Sequence, residues 1–364
     1  MAGEAAPPGG RITLPGGVPV ARLGVGCWPI GGPAMNLGLP MGWSTARDNE
    51  SLQGLERAFE LGANLFDTAD VYGLGHSERL LGHLLRNVPR DQVAVTSKVG
   101  YFAGTAAHGY EPGHMRRQLE QTLENLGTDY LDVYALHHPD FGPDDAFLPD
   151  AVEAMRAFQK KGLIRAVGMR GPHRYAPERL ADGPRREDKH ARFRRQFAVV
   201  RPEVLAVRDN LLTPQPAGSG IREFAAEHGA TVLVTKPLGQ GLLTGKHRPE
   251  APPEFGPGDH RLRKAWFTAP ALVVLHRELA PLREHFGPRQ ADLVWAALRY
   301  LLQRWPGAVV LVGFTSPAQV EQTLHCPSTP LSQTDMDLLA QAGQRAQQAL
   351  DALGDVFSDE SAAL

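Results

Sequence analysis

Cysteine is scarce in this chain, with only Cys27 and Cys326 among 364 residues. Two thiols in a chain of this length are typical of a protein kept in a reducing compartment and argue against a disulfide framework. No run of about 18 consecutive apolar residues occurs, so a membrane-spanning helix is not expected. The segment 1–11 is rich in Gly, Pro and Ala and has no apolar core, so we expect no secretory signal. These absences predict a cytoplasmic protein that does not associate with membranes.

An excess of charge of either sign is also missing. The formal net charge is −2, from 38 basic and 40 acidic residues, which does not favour a nucleic-acid partner. One local exception is the segment 185–195, which carries six basic and two acidic residues. We interpret it as a solvated helix face with charge pairing between successive turns. A patch for an anionic substrate or a carrier partner is the alternative.

The chain is rich in short apolar runs that alternate with amphipathic segments. Hydrophobic residues make up 42% of the composition, enough for a large core. The predicted strands are residues 23–26, 65–67, 93–98, 131–137, 164–169, 204–207, 231–235 and 309–312. Strands that alternate with helices indicate a parallel sheet, and eight such units indicate a closed α/β barrel. We therefore predict one (β/α)8 TIM-barrel domain over residues 1–364, with segments 1–11 and 355–364 flexible.

Two features lie outside the eightfold repeat. Residues 12–20 read as a small β-hairpin around Pro15-Gly16-Gly17, which would serve as a plug or a lid. A Gly/Pro-rich loop at 27–43 follows the first barrel strand, and a second long loop runs from strand seven to Phe267. Loops of this length in compact domains are usually functional, so we place them at the carboxyl-terminal face of the barrel.

Four chemically distinct side chains stand at the ends of consecutive predicted strands. Asp67, Lys98 and His137 end strands two, three and four, and Tyr72 follows Asp67 by five residues. The carboxyl ends of parallel barrel strands converge on one site. A free tyrosine titrates near pH 10, and a neighbouring ammonium would lower that pKa. A carboxylate would hold the lysine, and an imidazole would orient a substrate oxygen, so the four predict proton transfer to or from oxygen.

A metal ion at His137 and His138 is not expected. Adjacent residues of a strand point to opposite faces, so the two imidazoles cannot share one ion. The predicted metal content is therefore none.

The segments that carry these residues closely resemble the signatures of the aldo/keto reductases. The resemblance covers nearly the whole chain in order, and its best-matching segments are residues 66–73, 97–100, 132–137, 162–168 and 237–246. It implies a barrel that binds NAD(P)H without a Rossmann domain. It also implies Tyr72 as the general acid, Lys98 and Asp67 as the groups that tune it, and His137 as the group that orients the carbonyl.

The cofactor half of the resemblance is weaker. Arg170 and Gly171 stand where the family usually has a Ser-Asn pair for the nicotinamide carboxamide, and Ala206 and Asp209 replace a glutamine and a stacking aromatic residue. Thr315 replaces a frequent cation, which leaves NADP or NAD open. The residues expected to contact the cofactor are Arg170, Asp209, Pro237, Leu238, Gly239, Gly241, Gly313, Thr315 and Gln319. We also expect Arg170 and Asp209 to pair with each other across the space of the nicotinamide ring.

Three functions are compatible with these residues. The first is an NAD(P)-dependent oxidoreductase that interconverts a carbonyl and an alcohol, with Tyr72 as proton donor. The second is a redox-neutral enzyme, a dehydratase, epimerase or cyclase, that uses the same four residues with weak or no nicotinamide binding. The third is a non-catalytic subunit, which the presence of all four residue types argues against. The partner in the first case is a small carbonyl or alcohol.

The substrate itself is indicated only by residue type. We expect Trp28, Tyr101 and His138 to contact it, and other apolar residues to line the rim of the pocket: Met35, Trp43, Phe102, Phe141 and Trp266. Such a rim would suit an apolar or sugar-like ligand, although core or lid packing explains aromatic side chains equally well.

Overall fold

The structure, a computed structural model, describes residues 7–172, 189–215 and 219–353. Eight parallel strands close into a barrel, in the order β10-β11-β12-β3-β6-β7-β8-β9, which confirms the predicted (β/α)8 TIM barrel. The strands in chain order are β1 (Arg11–Thr13), β2 (Pro19–Ala21), β3 (Leu23–Gly26), β4 (Met35–Asn36), β5 (Leu39–Pro40), β6 (Leu65–Asp67), β7 (Ala94–Val99), β8 (Leu131–Leu136), β9 (Ile164–Arg170), β10 (Val204–Arg208), β11 (Thr231–Thr235) and β12 (Val309–Gly313).

Helices follow the barrel strands and cover the outside of the sheet. Those that the structure describes are α1 (Asp48–Glu60), α2 (His76–Leu85), α3 (Pro112–Leu126), α4 (Leu148–Lys160), α5 (Lys189–Val200), α6 (Ile221–Glu227), α7 (Ala269–Glu278), α8 (Ala280–Phe286), α9 (Gln290–Arg304), α10 (Pro317–Leu324) and α11 (Gln333–Asp351). The sequence did not predict α7 and α8, because both lie beyond a long irregular loop. No described helix has the length and apolarity that crossing a membrane would require.

Local sequence explains where several of these helices begin and which face they bury. Helix α1 places Leu55 and Ala58 against the barrel, as expected for apolar residues three positions apart on one helix face. Helix α11 begins at the predicted capping box, in which Ser332 and Asp335 satisfy each other's backbone N–H groups. Both features follow from residues within one turn of each other.

The N-terminal hairpin, β1 and β2, closes the bottom of the barrel. Leu14, Val18 and Val20 are buried against the starts of the barrel strands, in a cluster with Leu65, Ala94, Val133, Ala166, Val204, Leu233, Val309 and Leu311. The hairpin is therefore the predicted plug, and the lid alternative is wrong, because it covers the end of the barrel opposite to the strand termini that carry chemistry.

The opposite, carboxyl-terminal face is covered by the two predicted long loops, which are joined to each other. The 27–43 loop contains the short pair β4 and β5, and Gly42 N donates to Gly258 O at 2.8 Å. Asp259 accepts hydrogen bonds from the backbone N–H and the hydroxyl of Ser44 at 2.8 and 2.7 Å. The two loops therefore cover the carboxyl-terminal face together and are joined by hydrogen bonds.

Two expectations fall partly outside the described residues. Of the basic segment, residues 185–188 are not described, whereas Arg192 on α5 pairs with Asp145 at 2.9 Å. Of the two expected flexible ends, residues 1–6 and 354–364 are likewise not described.

Candidate active site

The four residues predicted to handle protons line one cavity at the carboxyl-terminal face. Asp67 is the last residue of β6, Lys98 lies one residue before the end of β7, and His137 directly follows β8. With Tyr72 they line a cavity of about 530 Å³. Their convergence follows from the parallel register of β6, β7 and β8.

Asp67 holds the Lys98 ammonium in a fully buried ion pair. Lys98 Nζ donates to Asp67 Oδ2 at 2.8 Å and to the carbonyl oxygen of Thr68 at 2.5 Å. Thr96 Oγ1 donates to the other carboxylate oxygen at 2.5 Å. Burial by itself lowers the pKa of Lys98, but the charge of Asp67 and the hydrogen bonds to Asp67 and Tyr72 outweigh it, so the pKa is raised. Lys98 is therefore protonated at neutral pH, and its ammonium group is held in place by two acceptors.

Tyr72 lies between the lysine and the aromatic wall of the cavity. Lys98 Nζ is 4.8 Å from the centroid of the Tyr72 ring, and the Trp28 ring stacks on Tyr72 with a centroid distance of 6.1 Å. His137 approaches the same ring edge-on at 5.8 Å. The phenol, the ammonium and the imidazole therefore share one end of the cavity.

The pKa of Tyr72 departs from the expectation based on sequence. Burial of the phenol raises the pKa, Lys98 lowers it, and Asp67 raises it again. Lys98 acts in the predicted direction, but burial outweighs it, so the predicted net lowering is wrong. Tyr72 consequently carries its proton at neutral pH.

The backbone around Tyr72 depends on two glycines. A Cβ on Gly31 would lie 2.8 Å from the carbonyl carbon of Tyr72, and one on Gly73 would collide with Gly31 O. Gly73 also has a φ of +61°, which side chains disfavour. The two glycines let the 27–43 loop touch the Tyr72 backbone directly, which sets the depth of the phenol in the cavity.

Two of the three residues predicted to contact the substrate line the cavity, and the third does not. Trp28 and Tyr101 line the cavity, and Tyr101 packs against the His137 ring at a centroid distance of 4.6 Å. His138 does not line it, because His138 Nε2 hydrogen-bonds the Gly100 carbonyl at 2.8 Å. Of the other predicted rim residues, only Trp43 lines the cavity; the remaining ones do not: Met35, Phe102, Phe141 and Trp266.

Most of the predicted cofactor residues also line the cavity, namely Arg170, Pro237, Leu238, Gly241, Gly313, Thr315 and Gln319. Gly239 does not line it; a Cβ at this position would lie 3.4 Å from the Leu212 side chain. At the far end, Thr315 N donates to Gln319 Oε1 at 3.0 Å, so this glutamine orders the turn after β12.

Asp209 is the clearest error among the predicted cofactor residues. Its carboxylate is fully buried and accepts hydrogen bonds from Arg304 Nε at 2.9 Å and Trp305 Nε1 at 2.6 Å. It does not line the cavity, and the expected pair with Arg170 is not formed. Arg170 turns instead toward the catalytic end, where its guanidinium lies 3.5 Å from the His137 carbonyl oxygen.

Two cavity residues that could hold an anion were not predicted. Lys246 lies directly over the 239–245 loop, since a Cβ on Gly241 would be 3.3 Å from Lys246 Nζ. Gln240 Nε2 is buried and has no hydrogen-bond partner among the described residues. The motif around Gly241 contained both residues, but only the folded loop shows that both line the cavity.

A fixed aromatic wall completes the site. Trp28 Nε1 donates to the Met41 carbonyl at 2.8 Å. The Arg261 guanidinium forms an ion pair with Asp259 at 2.7 Å and covers the Trp43 ring at 4.0 Å. The indoles are therefore held before any ligand arrives.

Fold and site together define a class: a TIM-barrel enzyme with an acid, phenol, amine and imidazole gathered at its strand ends. The chain belongs to the aldo/keto reductase family, whose model matches residues 22–344. This confirms the family resemblance and the assignment as an oxidoreductase.

Similar proteins agree with this membership. The NADH-specific methylglyoxal reductase of Escherichia coli K12 is 26% identical over 341 residues, covering 90% of this chain and 96% of that protein. The glycerol dehydrogenase structure from Gluconobacter oxydans has a TM-score of 0.68 at 24% identity, covering 95% of this chain and 97% of that one. An aldo-keto reductase from Klebsiella pneumoniae, solved with NADPH, has a TM-score of 0.63 at 20% identity, covering 93% and 95%. Reductases and dehydrogenases among the relatives do not favour the redox-neutral alternative.

Proposed function

We propose that this protein reduces a small carbonyl compound to an alcohol with NADH or NADPH, and that Tyr72 supplies the proton. The observation that carries the proposal is the meeting of Tyr72, Lys98 and His137 at one end of a single cavity, with Asp67 fixing the lysine at 2.8 Å. The 26% identical E. coli relative is a reductase by name, which supports reduction of a carbonyl as the direction of the reaction.

The proton step follows from the charges around the phenol. Tyr72 is neutral at physiological pH and donates its O–H to the carbonyl oxygen of the substrate. The phenolate left behind is stabilised by the Lys98 ammonium, which Asp67 keeps charged and aimed. His137 orients the same oxygen from the adjacent strand end. When bound, the reduced nicotinamide supplies the hydride to the carbonyl carbon.

The residues present fit a dinucleotide phosphate group. The 237–246 segment offers one cation, Lys246, and one buried amide nitrogen, Gln240 Nε2, that has no hydrogen-bond partner in the described ranges. The pyrophosphate is an anion that such donors bind, and Gly241 allows the backbone to approach it. Thr315 and Gln319 would contact the adenosine end of the cofactor.

Location and domain organisation are proposed on separate grounds. Cys27 and Cys326 are both free thiols, which supports a reducing compartment such as the cytoplasm. The closed sheet runs from Leu23 to Gly313, which supports one barrel domain for the whole chain.

The test combines cofactor binding with turnover. Purified protein is titrated with NADH and with NADPH while tryptophan fluorescence is followed, and methylglyoxal and neutral aldehydes are then supplied. We expect saturable quenching in the micromolar range and consumption of the reduced cofactor. Tyr72→Phe should bind the cofactor with unchanged affinity but lose about 10²- to 10⁴-fold in kcat.

The matched control is Tyr130→Phe, because the Tyr130 ring contacts Arg90 and Arg165 away from the cavity. Full turnover by Tyr72→Phe, or the absence of cofactor binding up to millimolar concentration, would contradict the proposal.

A further inference from the structure

Arg170 is the last residue of β9 and is a cationic group of the cavity to which the proton-transfer chemistry assigns no role. Its side chain is half-buried, lines the cavity, and reaches within 3.5 Å of the carbonyl oxygen of His137. Its positive charge acts on the Tyr72 phenol. The guanidinium therefore lies at the end of the cavity that holds His137 and Tyr72.

Arg170 has no counter-ion within the described part of the chain. No carboxylate in residues 7–172, 189–215 or 219–353 forms an ion pair with it, and its one hydrogen bond, to His137 O, is long. Asp209, which the sequence suggested as its partner, is occupied by Arg304 and Trp305. A guanidinium carries five N–H donors in a planar fork, and the Arg170 side chain that carries them lines the cavity.

The surroundings add positive charge. Among the described lining residues of the cavity there are four lysines and three arginines but a single carboxylate, Asp67. That carboxylate is already bound to Lys98 at 2.8 Å, so it does not repel an incoming anion. Across the sheet, the register partner of Arg170 is Ala206, whose methyl group leaves room beside the guanidinium.

We propose that the carbonyl substrate carries an anionic group, a carboxylate or a phosphate ester, which Arg170 binds while the carbonyl oxygen lies at Tyr72. A planar guanidinium binds either anion through two parallel hydrogen bonds. A neutral carboxamide offers one acceptor oxygen and would satisfy fewer of these donors than an anion with two or more oxygens. This inference rests on the proposed function and specifies its substrate class.

The kinetic test compares isosteric pairs that differ only in charge. The carboxylate pair is 4-carboxybenzaldehyde and 4-formylbenzamide, and the phosphate pair is glyceraldehyde 3-phosphate and glyceraldehyde. For at least one pair we expect the anion to have the higher kcat/KM, by about 10- to 100-fold, as a charged hydrogen-bonded pair contributes. The pair with the larger ratio identifies the anion.

Substitutions distinguish the effect of Arg170 from that of the other cationic residues that line the cavity. Arg170→Gln should reduce the anion-to-neutral ratio about tenfold or more, mainly through KM, and Arg170→Lys should retain part of it, because the charge remains but the fork is lost. Arg208→Gln is the control, since Arg208 lines the same cavity but donates to Thr213 Oγ1 at 3.1 Å. An unchanged ratio in Arg170→Gln, or an equal fall in Arg208→Gln, overturns the proposal.

A binding measurement keeps this test independent of turnover. Trp28 and Trp43 line the cavity, so tryptophan quenching by benzoate and by benzamide reports binding there without any reaction. Benzoate should bind more tightly than benzamide in the wild type, and Arg170→Gln should remove the difference. Equal binding of the two overturns the inference, whereas reduction of neutral aldehydes alongside equal binding leaves the proposed function intact.

Discussion

Lys98 and Asp67 form an ion pair of 2.8 Å in which both side chains are less than 10% exposed. The remaining oxygen of Asp67 accepts from Thr96, and the ammonium also donates to Thr68 O. Every strong polar group of the pair is thus satisfied, which is the condition under which a buried ion pair persists. The pair supplies a fixed cation beneath Tyr72.

Removal of the lysine should cost both stability and activity. Lys98→Met leaves the Asp67 carboxylate buried without its partner, and we expect a loss of about 3–5 kcal/mol in the free energy of unfolding. Turnover should fall about 10²- to 10⁴-fold. The double variant Asp67→Asn/Lys98→Met should recover part of the stability but none of the turnover. Urea unfolding measures the stability and steady-state kinetics the turnover, and Lys160→Met, at an exposed lysine at the end of α4 that does not line the cavity, controls for the loss of charge. Equal stability of the single and double variants would contradict the argument.

The raised pKa of Tyr72 predicts opposite pH profiles for the two directions of reaction. Reduction needs the protonated phenol, so its kcat should stay level through neutral pH and fall only above about pH 10, the ordinary tyrosine value. Alcohol oxidation needs the phenolate, so its rate should rise with pH over the same range. Profiles of kcat measured in both directions test this. A basic limb near pH 7 assigned to Tyr72 would show that Lys98 outweighs burial after all.

The hairpin plug should support stability without touching the reaction. Leu14 is 2% exposed and packs on the starts of the barrel strands. Leu14→Ala should lower the free energy of unfolding by about 2–5 kcal/mol and leave KM unchanged, because the site lies at the other end of the barrel. Leu37→Ala, at a leucine that is 79% exposed, is the matched control for stability. A changed KM in Leu14→Ala would mean that the two ends are coupled.

Helix α11 should contribute a pH-dependent element of stability. The hydrogen bond from His285 and those from Ser332 lower the pKa of Asp335 to about 2. Its contribution is present above the ordinary carboxyl value of about 4 and is lost as the pH falls through about 2. The stability difference between wild type and Asp335→Asn should therefore shrink between pH 4 and pH 2 in urea titrations. Asp337→Asn, on the same helix, controls for the loss of charge, and a constant difference for Asp335→Asn would refute the assignment.

Local pattern was sufficient for the barrel and the proton-handling residues. The strand ends carrying Asp67, Lys98 and His137 are each specified by a short buried run, and parallel strands align those ends automatically. Tyr72 follows by a fixed five residues. Trp28 and Trp43 could be predicted only as loop positions, because their loop is held by hydrogen bonds from Gly42 to Gly258 and from Ser44 to Asp259, which are distant in sequence.

The sequence by itself determined the eightfold alternation, the N-terminal hairpin and the chemical types at the strand ends, since each depends on neighbours a few residues away, whereas the packing of the hairpin as a plug was decided by the structure. Only the tertiary structure decided which side chains line the cavity, which ion pairs they form, and in which direction their pKa values shift. Asp209 pairs with Arg304, 95 positions later, and is therefore not a partner of Arg170, which has no counter-ion among the residues that the structure describes. Burial, which arises from packing across the whole barrel, likewise overrides Lys98 in setting the pKa of Tyr72.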